Sequence, residues 1–392
     1  MQKTATDTFL KIHKRIELSL PANDTLLGGR LGLALYYHAL YEAFDKTSHA
    51  EKAMALLEQV FANLQKDSLQ LFGNAFGGGA AGLGWVVTQF HQSGLVESDL
   101  QDDLAALDEY LYTTALEQIL HQDKIDYLHG ATGTIHYFTQ RLPDKKIEQY
   151  LVNLVTALCN KAVQEEKGLW MKNWVVERKE NTEINFSLSH GLCSFLVILV
   201  NAYQKGIRLP CITETVTRGI DFILHFQQEI EPAKKNWSFF PSTVNAQNQS
   251  EFFLSKRLAW CYGDFGPVLL LYKAAGIMDK PDWIDKANLF GTYTLTRKDP
   301  ETTTTTETLF CHGTAGMAQF YKTFYQLSGI ERYKEGQEYW IGQTIEWLPS
   351  ELEKALYHGK ECDLLEGLVG VNLGLLSFIS DQPLSWSKAF LL

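Results

Sequence analysis

A glycine motif recurs seven times along the 392-residue chain, and its spacing constrains the fold more than any other feature. Each copy is a Gly-x-x-Gly or a close variant, followed directly by an apolar run. The steps between the first glycines are 50, 51, 61, 72, 50 and 54 residues. These glycines are Gly29, Gly79, Gly130, Gly191, Gly263, Gly313 and Gly367. A period near fifty residues is typical of a repeat protein.

Each repeat is predicted to be a pair of helices. Apolar runs such as LALYYHAL from Leu33 and FLVILVNAY from Phe195 predict helices that are buried on all sides. Amphipathic segments, 98–120 and 146–165 among them, suit an outer layer. Two helices of about 12 to 18 residues with short connections fill about fifty residues. We therefore predict an all-α fold, an (α/α) toroid of seven helical hairpins, with residues 1–392 as a single domain.

Two of the steps exceed the period and predict short extended insertions at the rim, at about residues 166–184 and 232–256. The first contains GLWMKNWVVERK from Gly168, whose alternation predicts a strand pair or an extended loop. The second leads directly to Arg257 and Cys261, so we interpret it as a lid or a peptide-docking flap. The threonine run 302–306 is interpreted as a mobile loop without evident chemistry.

Every motif should start an inner helix at the same end of the ring. Glycine would relieve crowding where seven backbones converge, and helix N-termini present free N–H groups there. Whether the glycines do more than permit packing stays open. The residues immediately before the first glycines are mostly polar, which indicates chemistry at this rim. They include His129, His190, Tyr262, His312 and Glu366.

In two adjacent repeats the residue two positions before the first glycine is a cysteine, Cys261 or Cys311. If the repeats are equivalent, both thiols meet His312 at the rim despite their separation in sequence. Two thiolates and an imidazole suit zinc, and three ligands with one open position are typical of a catalytic zinc. Cys193 is an alternative fourth ligand, and buried cysteines are otherwise ordinary small hydrophobes.

Composition narrows the classes of partner. The formal charge of −11 argues against nucleic acid or anionic lipid as the main partner, whereas basic peptides remain compatible with it. No window approaches the roughly 18 apolar residues of a membrane span, and the first twenty residues lack a signal-peptide core. We expect a cytoplasmic protein that is not integral to a membrane. The cysteine spacing shows no disulfide framework.

Three strings now indicate a family: RLAWCYGDFG from Arg257, LFCHGTAG from Leu309 and LSHG from Leu188. With the seven glycine motifs, they resemble the lanthionine synthetase C family, the cyclases of nisin-type lantibiotic biosynthesis, over essentially the entire chain. The resemblance implies a zinc enzyme that adds peptide cysteine thiols to dehydroalanine or dehydrobutyrine, forming lanthionine and methyllanthionine. It implies as partners a dehydrated precursor peptide, with leader and core, a dehydratase and an export transporter. Membrane association would then arise only through such a complex.

The resemblance also implies roles for individual residues. Cys261, Cys311 and His312 would hold Zn²⁺. His190 would shuttle a proton, and Asp126, in DYLHG, would orient the active-site histidine.

Arg257 and Tyr262 match the other active-site positions of the family. The alternatives are structural: a core histidine at His190, a helix cap at Asp126, and an ion pair of Arg257 with Asp264. Ser187 and Ser194 depart from the pattern, and His129 and Glu366 receive no role from it.

The chemistry restricts what zinc could contribute. A thiol with a pKa near 8.5 is about 3% ionised at pH 7, so ionisation alone raises the reactive fraction roughly thirty-fold at most. Zinc would therefore act chiefly by fixing the sulfur against the alkene. Addition at the β-carbon then builds an enolate that needs a cation and an acid. Arg257 and His190 fit those two needs.

Three other functions stay open. A zinc-dependent prenyl or alkyl transferase should carry a carboxylate ligand and a basic tunnel, and the rim has few basic residues. A glycoside hydrolase needs paired carboxylates, for which only Asp126, Asp264 and Glu366 qualify. A non-cyclising relative that binds glutathione or another thiol would use the same metal ligands.

Overall fold

Seven apolar helices form the inner ring of the protein. The computed structural model describes residues 1–66, 68–174 and 183–392. Within this part, each inner helix contacts the next one, and the last contacts the first, so the ring closes. The inner helices are α2 (Arg30–Phe44), α4 (Ala80–Gln92), α7 (Ala131–Arg141), α9 (Leu192–Gln204), α11 (Phe265–Met278), α14 (Thr314–Ser328) and α16 (Leu368–Ile379). The predicted all-α toroid is confirmed.

An outer layer of longer, amphipathic helices surrounds this ring. Helix α8 shows the pattern, because its buried residues recur every three or four positions, as at Ile147, Tyr150, Leu151 and Leu154. The outer helices are α1 (Gln2–Glu17), α3 (Thr47–Gln65), α6 (Ala105–Glu117), α8 (Lys145–Asn160), α10 (Pro210–His225), α12 (Pro281–Thr294) and α15 (Arg332–Glu353). Two short helices, α5 (Leu100–Asp103) and α13 (Pro300–Thr303), lie in connections. The division of the chain into one domain stays a prediction.

The insertions are extended, as predicted, and they form two small sheets. Strands β1 (Ala162–Glu165) and β2 (Gly168–Met171) pair antiparallel, so the predicted outer helix 146–165 ends at Asn160. Strands β3 (Glu183–Asn185), β4 (Thr243–Asn245) and β5 (Phe252–Phe253) form an antiparallel sheet in the order β3-β4-β5. Part of the GLWMKNWVVERK stretch, from residue 175 onward, lies outside the described residues. The second sheet joins the two insertions to each other.

The motif glycines are required by the loop that precedes each inner helix, which we call motif loops 1 to 7 in chain order. A Cβ at Gly130 would clash with the carbonyl oxygen of Lys124, and one at Gly313 would lie 2.5 Å from the carbonyl oxygen of Glu307. The crowding therefore comes from the repeat's own loop turning back on itself. The expected crowding between seven converging backbones is not the cause at these two positions.

No helix among the described residues is both long and apolar enough to cross a membrane.

Candidate metal and proton-transfer site

Hydrogen bonds join the motif loops side by side around the mouth of the ring. The residue two positions before the first glycine is the main link. In four places its N–H donates to the carbonyl oxygen of the equivalent residue in the next loop. These bonds run from Leu27 to Gly77 (3.0 Å), Gly77 to Leu128 (2.9 Å), Cys261 to Cys311 (3.4 Å) and Cys311 to Leu365 (3.0 Å). Leu364 N–H donates to the Leu27 carbonyl at 2.7 Å and so links motif loop 7 to motif loop 1. Equivalent positions of neighbouring repeats are thus adjacent in space.

This register brings the two rim cysteines together. Cys261 and Cys311 occupy that linking position in motif loops 5 and 6, and His312 follows Cys311. One possible ligand atom from each of the three residues lies within 4.8 Å of the other two. The cysteines are buried at 7% and 9% exposure, while 29% of the His312 side chain is exposed. This donor set, two sulfurs and one imidazole that is open on one side, is chemically suited to zinc.

The charge environment favours an ionised sulfur at Cys261. The Cys311 thiol donates to it, and the nearby Arg257 guanidinium adds positive charge, so the pKa of Cys261 is lowered to about 7 despite burial. The pKa of Cys311 is raised well above its usual range, first by that same hydrogen bond and then by burial. Arg257 Nη1 lies 3.8 Å from the Cys261 sulfur. Arg257 therefore points at the cysteine pair.

Asp264, the alternative partner proposed for Arg257, forms an ion pair with a different arginine. Asp264, fully buried, pairs with the equally buried Arg297 at 2.9 Å. Its other oxygen accepts the N–H groups of Phe239 and Phe240, each at 3.1 Å. Asp264 thus fastens the second insertion to the start of α11, and the structure does not support the alternative in which it pairs with Arg257.

Glu307 contacts the histidine of the cluster and was not identified from the sequence. Its Oε2 lies 3.4 Å from His312 Nε2. A carboxylate at this distance can fix the ring orientation of a metal-binding histidine. The available signal was its place six residues before Gly313, where the motif loop turns back beneath the rim.

A second group of polar side chains lies at motif loops 3 and 4. His190 Nδ1 is 2.8 Å from Asp126 Oδ2, and the other oxygen of Asp126 accepts the His129 N–H at 2.8 Å. Asp126 is 1% exposed, whereas 22% of the His190 side chain is exposed. The buried carboxylate holds one ring nitrogen of His190, which leaves Nε2 free of this contact. That is the arrangement of an oriented proton-transfer histidine.

His129 completes this group from the exposed side. Its ring stacks on that of His190 with 5.7 Å between centroids and 15° between planes. Partial removal of the ring from water, and then the neighbouring His190, lower the pKa of His129, and Asp126 partly opposes them. One possible ligand atom from each of Asp126, His129 and His190 also lies within 4.8 Å of the others, so a metal could compete with proton transfer there.

The backbone of His190 is held by neighbouring side chains. Its N–H donates to Ser187 Oγ at 3.0 Å, and its carbonyl accepts from Asn173 Nδ2 at 3.0 Å. Ser187, one of the departures from the family pattern, therefore has a local function. Ser194, the other departure, donates to the Gly191 carbonyl at 2.8 Å and leaves the start of α9 intact.

Tyr262 connects the site to the inserted sheet. Its hydroxyl accepts from Asn185 Nδ2 at 3.1 Å, and Asn185 ends β3. Burial raises the pKa of Tyr262, so the phenol stays protonated at neutral pH. Ser189 Oγ also donates to the Cys261 carbonyl at 3.4 Å. The cysteine group and the histidine group are thus linked through motif loops 4 and 5.

The structure also places Cys193, Glu366 and the threonine run. Cys193 is fully buried, and an added Cβ on Gly266 would lie 3.6 Å from its sulfur, so it packs between α9 and α11 outside the Cys–His cluster. Glu366 pairs with Lys360 at 2.9 Å. The threonine run 302–306 is largely buried, and Thr303 accepts the Leu258 N–H at 3.1 Å, so it supports the Arg257 segment and is not a free loop.

Comparison with known proteins agrees with this architecture. The sequence model of the family described as "Lanthionine synthetase C-like protein" matches residues 21–391. The chain belongs to the lanthionine synthetase C-like family. The fold is similar to the solved structure of nisin cyclase, with a TM-score of 0.74 and 19% identity over 99% of this chain and 96% of that chain. No curated protein matches the chain in sequence.

Proposed function

We propose that this lanthionine synthetase C-like protein is a zinc-dependent peptide cyclase. Its reaction would be the addition of a peptide cysteine thiol to dehydroalanine or dehydrobutyrine, which forms a lanthionine or methyllanthionine thioether. The observation that carries the proposal is the meeting of Cys261, Cys311 and His312, with an arginine at the sulfur of Cys261.

The donor set fits a catalytic zinc. Cys261, Cys311 and His312 would hold the ion, with Glu307 orienting the histidine. Zn²⁺ bound by three protein ligands would lower the pKa of an incoming thiol and fix its sulfur in place. The remaining ligand position would be taken by the substrate.

The protein side chains would handle the charge and the proton. When the thiol sulfur bonds to the β-carbon of the dehydrated residue, the C=C π electrons move onto the α-carbon and its carbonyl oxygen. Arg257 would stabilise that enolate, because its guanidinium lies 3.8 Å from the Cys261 sulfur. His190, oriented by Asp126, would deliver the proton to the α-carbon. The net reaction moves the thiol hydrogen to carbon, with no oxidant or reductant.

Tyr262 and the inserted sheet would place the peptide. The phenol of Tyr262, which is protonated at neutral pH, accepts a hydrogen bond from Asn185 at the end of β3 and can donate one to a peptide carbonyl. The second insertion ends in β5, where Phe252 and Phe253 are 40% and 63% exposed. We propose that this sheet is a docking flap for the precursor peptide, whose dehydratase and transporter partners also remain proposals.

The competing functions fit the geometry less well. Of the three carboxylates considered for glycoside hydrolysis, Asp264 is sealed in an ion pair and Asp126 is committed to His190. A prenyl transferase would need a carboxylate metal ligand, and among the described residues the Cys–His cluster contains none. A glutathione-binding relative would use the same ligands but would not need the Asp126–His190 pair beside them.

One incubation separates cyclisation from thiol binding. The zinc-loaded protein is mixed with a dehydrated, cysteine-containing peptide, and free thiols are counted while the peptide mass is followed. A cyclase removes thiols without changing the peptide mass, since addition is an isomerisation. Saturable glutathione binding without any loss of peptide thiols would instead favour the non-cyclising alternative.

A further inference from the structure

A ring of buried side chains lies directly beneath the mouth of the toroid. It consists of the residues three positions before the first glycine of each motif loop, and each is at most 1% exposed. We call it the floor layer. Its members are Leu26, Phe76, Tyr127, Leu188, Trp260, Phe310 and Leu364.

A short 3-10 turn, Trp386–Phe390, packs against three aromatic members of this layer. The Tyr127 hydroxyl donates to the Ala389 carbonyl at 2.7 Å, and Trp260 Nε1 donates to the Phe390 carbonyl at 3.0 Å. The Phe310 ring lies 4.4 Å from that of Phe390. The turn therefore contacts motif loops 3, 5 and 6.

The turn lies inside the ring. Trp386 Nε1 donates to Ser377 Oγ on α16 at 3.1 Å, and Ser385 N–H donates to Glu42 on α2 at 2.9 Å. Trp386 and Phe390 are fully buried. Within the turn, four of the five residues are buried and Lys388 is exposed. A segment that is buried to this extent and contacts five of the seven hairpins occupies the space that the inner helices enclose.

Each aromatic side chain that holds the turn is the direct neighbour of a candidate site residue. Tyr127 follows Asp126, Trp260 precedes Cys261, and Phe310 precedes Cys311. A shift of the turn is therefore transmitted through one peptide unit to the carboxylate or to a thiol.

We propose that the Trp386–Phe390 turn is a positioning element that sets the Cys261–Cys311 pair and the Asp126–His190 pair relative to each other. Tyr127 and Trp260 are its positioning residues and contact no substrate. This proposal rests on the proposed function, because it concerns how the thiol-binding and proton-donating groups are aligned.

The turn also fills the interior of the ring, so stability alone could explain it. The two roles predict different results in folded protein. If the turn only stabilises the fold, its alteration changes only the free energy of unfolding. A positioning element also changes the rate of ring closure and the retention of zinc, since a misplacement of about 1 Å can cost about a hundredfold in rate.

The first test removes one hydrogen bond at constant volume. Tyr127→Phe is compared with Tyr321→Phe, because Tyr321 is equally buried and donates one hydrogen bond, to Thr294 at 3.1 Å, away from the mouth. With both variants fully loaded with zinc, we expect kcat for thiol loss to fall about tenfold or more only in Tyr127→Phe. Equal kcat values in the two variants at similar melting temperatures would overturn the proposal.

The second test has a readout other than activity. Trp260→Phe is compared with Trp85→Phe, since Trp85 is also fully buried but lies in α4. Zinc transfer to a chromophoric chelator should be about tenfold faster only in Trp260→Phe, in the range seen when support of a metal ligand is removed. Equal release rates would overturn the proposal. If wild-type protein holds zinc but forms no rings, the proposed function fails while this test still decides the positioning role.

Discussion

The N–H of Cys261 donates to the carbonyl of Cys311 at 3.4 Å, although fifty residues separate them in sequence. The contact belongs to the hydrogen bonds that link neighbouring motif loops around the mouth. It places two thiols on neighbouring motif loops whose backbones are hydrogen-bonded to each other. A metal site built on this contact is preorganised by the repeat itself, which keeps the ordering cost of binding low.

Glu307 should support metal binding without being a ligand. In Glu307→Gln the His312 ring loses its charged partner, and zinc affinity should fall by about tenfold or more, the usual effect of removing such a partner. Competition with a chelator of known affinity measures the zinc affinity of both proteins. Glu301→Gln, an exposed position in the preceding short helix, serves as control, and an unchanged affinity in Glu307→Gln would remove the carboxylate from the site.

Asp126→Asn should separate metal binding from proton transfer. The amide cannot stabilise a protonated His190 as a carboxylate does, so ring formation should slow by about a hundredfold, at the lower end of acid–base contributions. Zinc content should stay at the wild-type value. Asp123→Asn, at a partly exposed carboxylate that pairs with Lys161, should be nearly as active as wild type. Full activity in Asp126→Asn would contradict the proton-donor role of the pair.

Much of this arrangement was predictable from the sequence, because the glycine period fixes which residues become equivalent. Equivalence placed Cys261 beside Cys311, and DYLHG placed Asp126 near the histidines. Glu307 was not found, because its place six residues before Gly313 does not by itself show that the motif loop turns back beneath the rim at this point. The Trp386–Phe390 turn was also missed, because an apolar segment beyond the last repeat carries no periodic signal that shows where it packs.

The buried histidines should make the protein acid-sensitive. Burial lowers the pKa of His136 to about 3 and that of His38 to about 4. Between pH 6.5 and those values the unfolded chain binds protons that the folded chain does not, so stability falls as pH falls. The slope is about 1.4 kcal/mol per pH unit for each histidine once the unfolded form is fully protonated.

Urea unfolding at pH 7, 6 and 5 measures this slope. His136→Gln removes one of the two titrating groups, so its stability should depend less steeply on pH than that of wild type. His225→Gln alters an exposed histidine on the outer helix α10 and should keep the wild-type slope. Identical slopes for all three proteins would show that burial of His136 does not govern acid sensitivity.

The inserted sheet should affect peptide binding more than chemistry. Phe253→Ser removes an exposed apolar contact of the proposed flap, so KM for the dehydrated peptide should rise about tenfold with little change in kcat, as expected for one lost aromatic contact. Leu289→Ser, at 60% exposure on the outer helix α12, should leave KM unchanged. A wild-type KM in Phe253→Ser would argue against docking at β5.

The most direct measurement is the zinc content and ring-forming activity of Cys311→Ala, made in parallel with Cys159→Ala, which alters a buried cysteine of the outer helix α8. We predict one zinc per chain and normal thiol loss in Cys159→Ala. In Cys311→Ala, metal and activity should disappear together while the helical content stays native. Retention of one tightly bound zinc in Cys311→Ala, or ring formation by its metal-free form, would contradict this prediction.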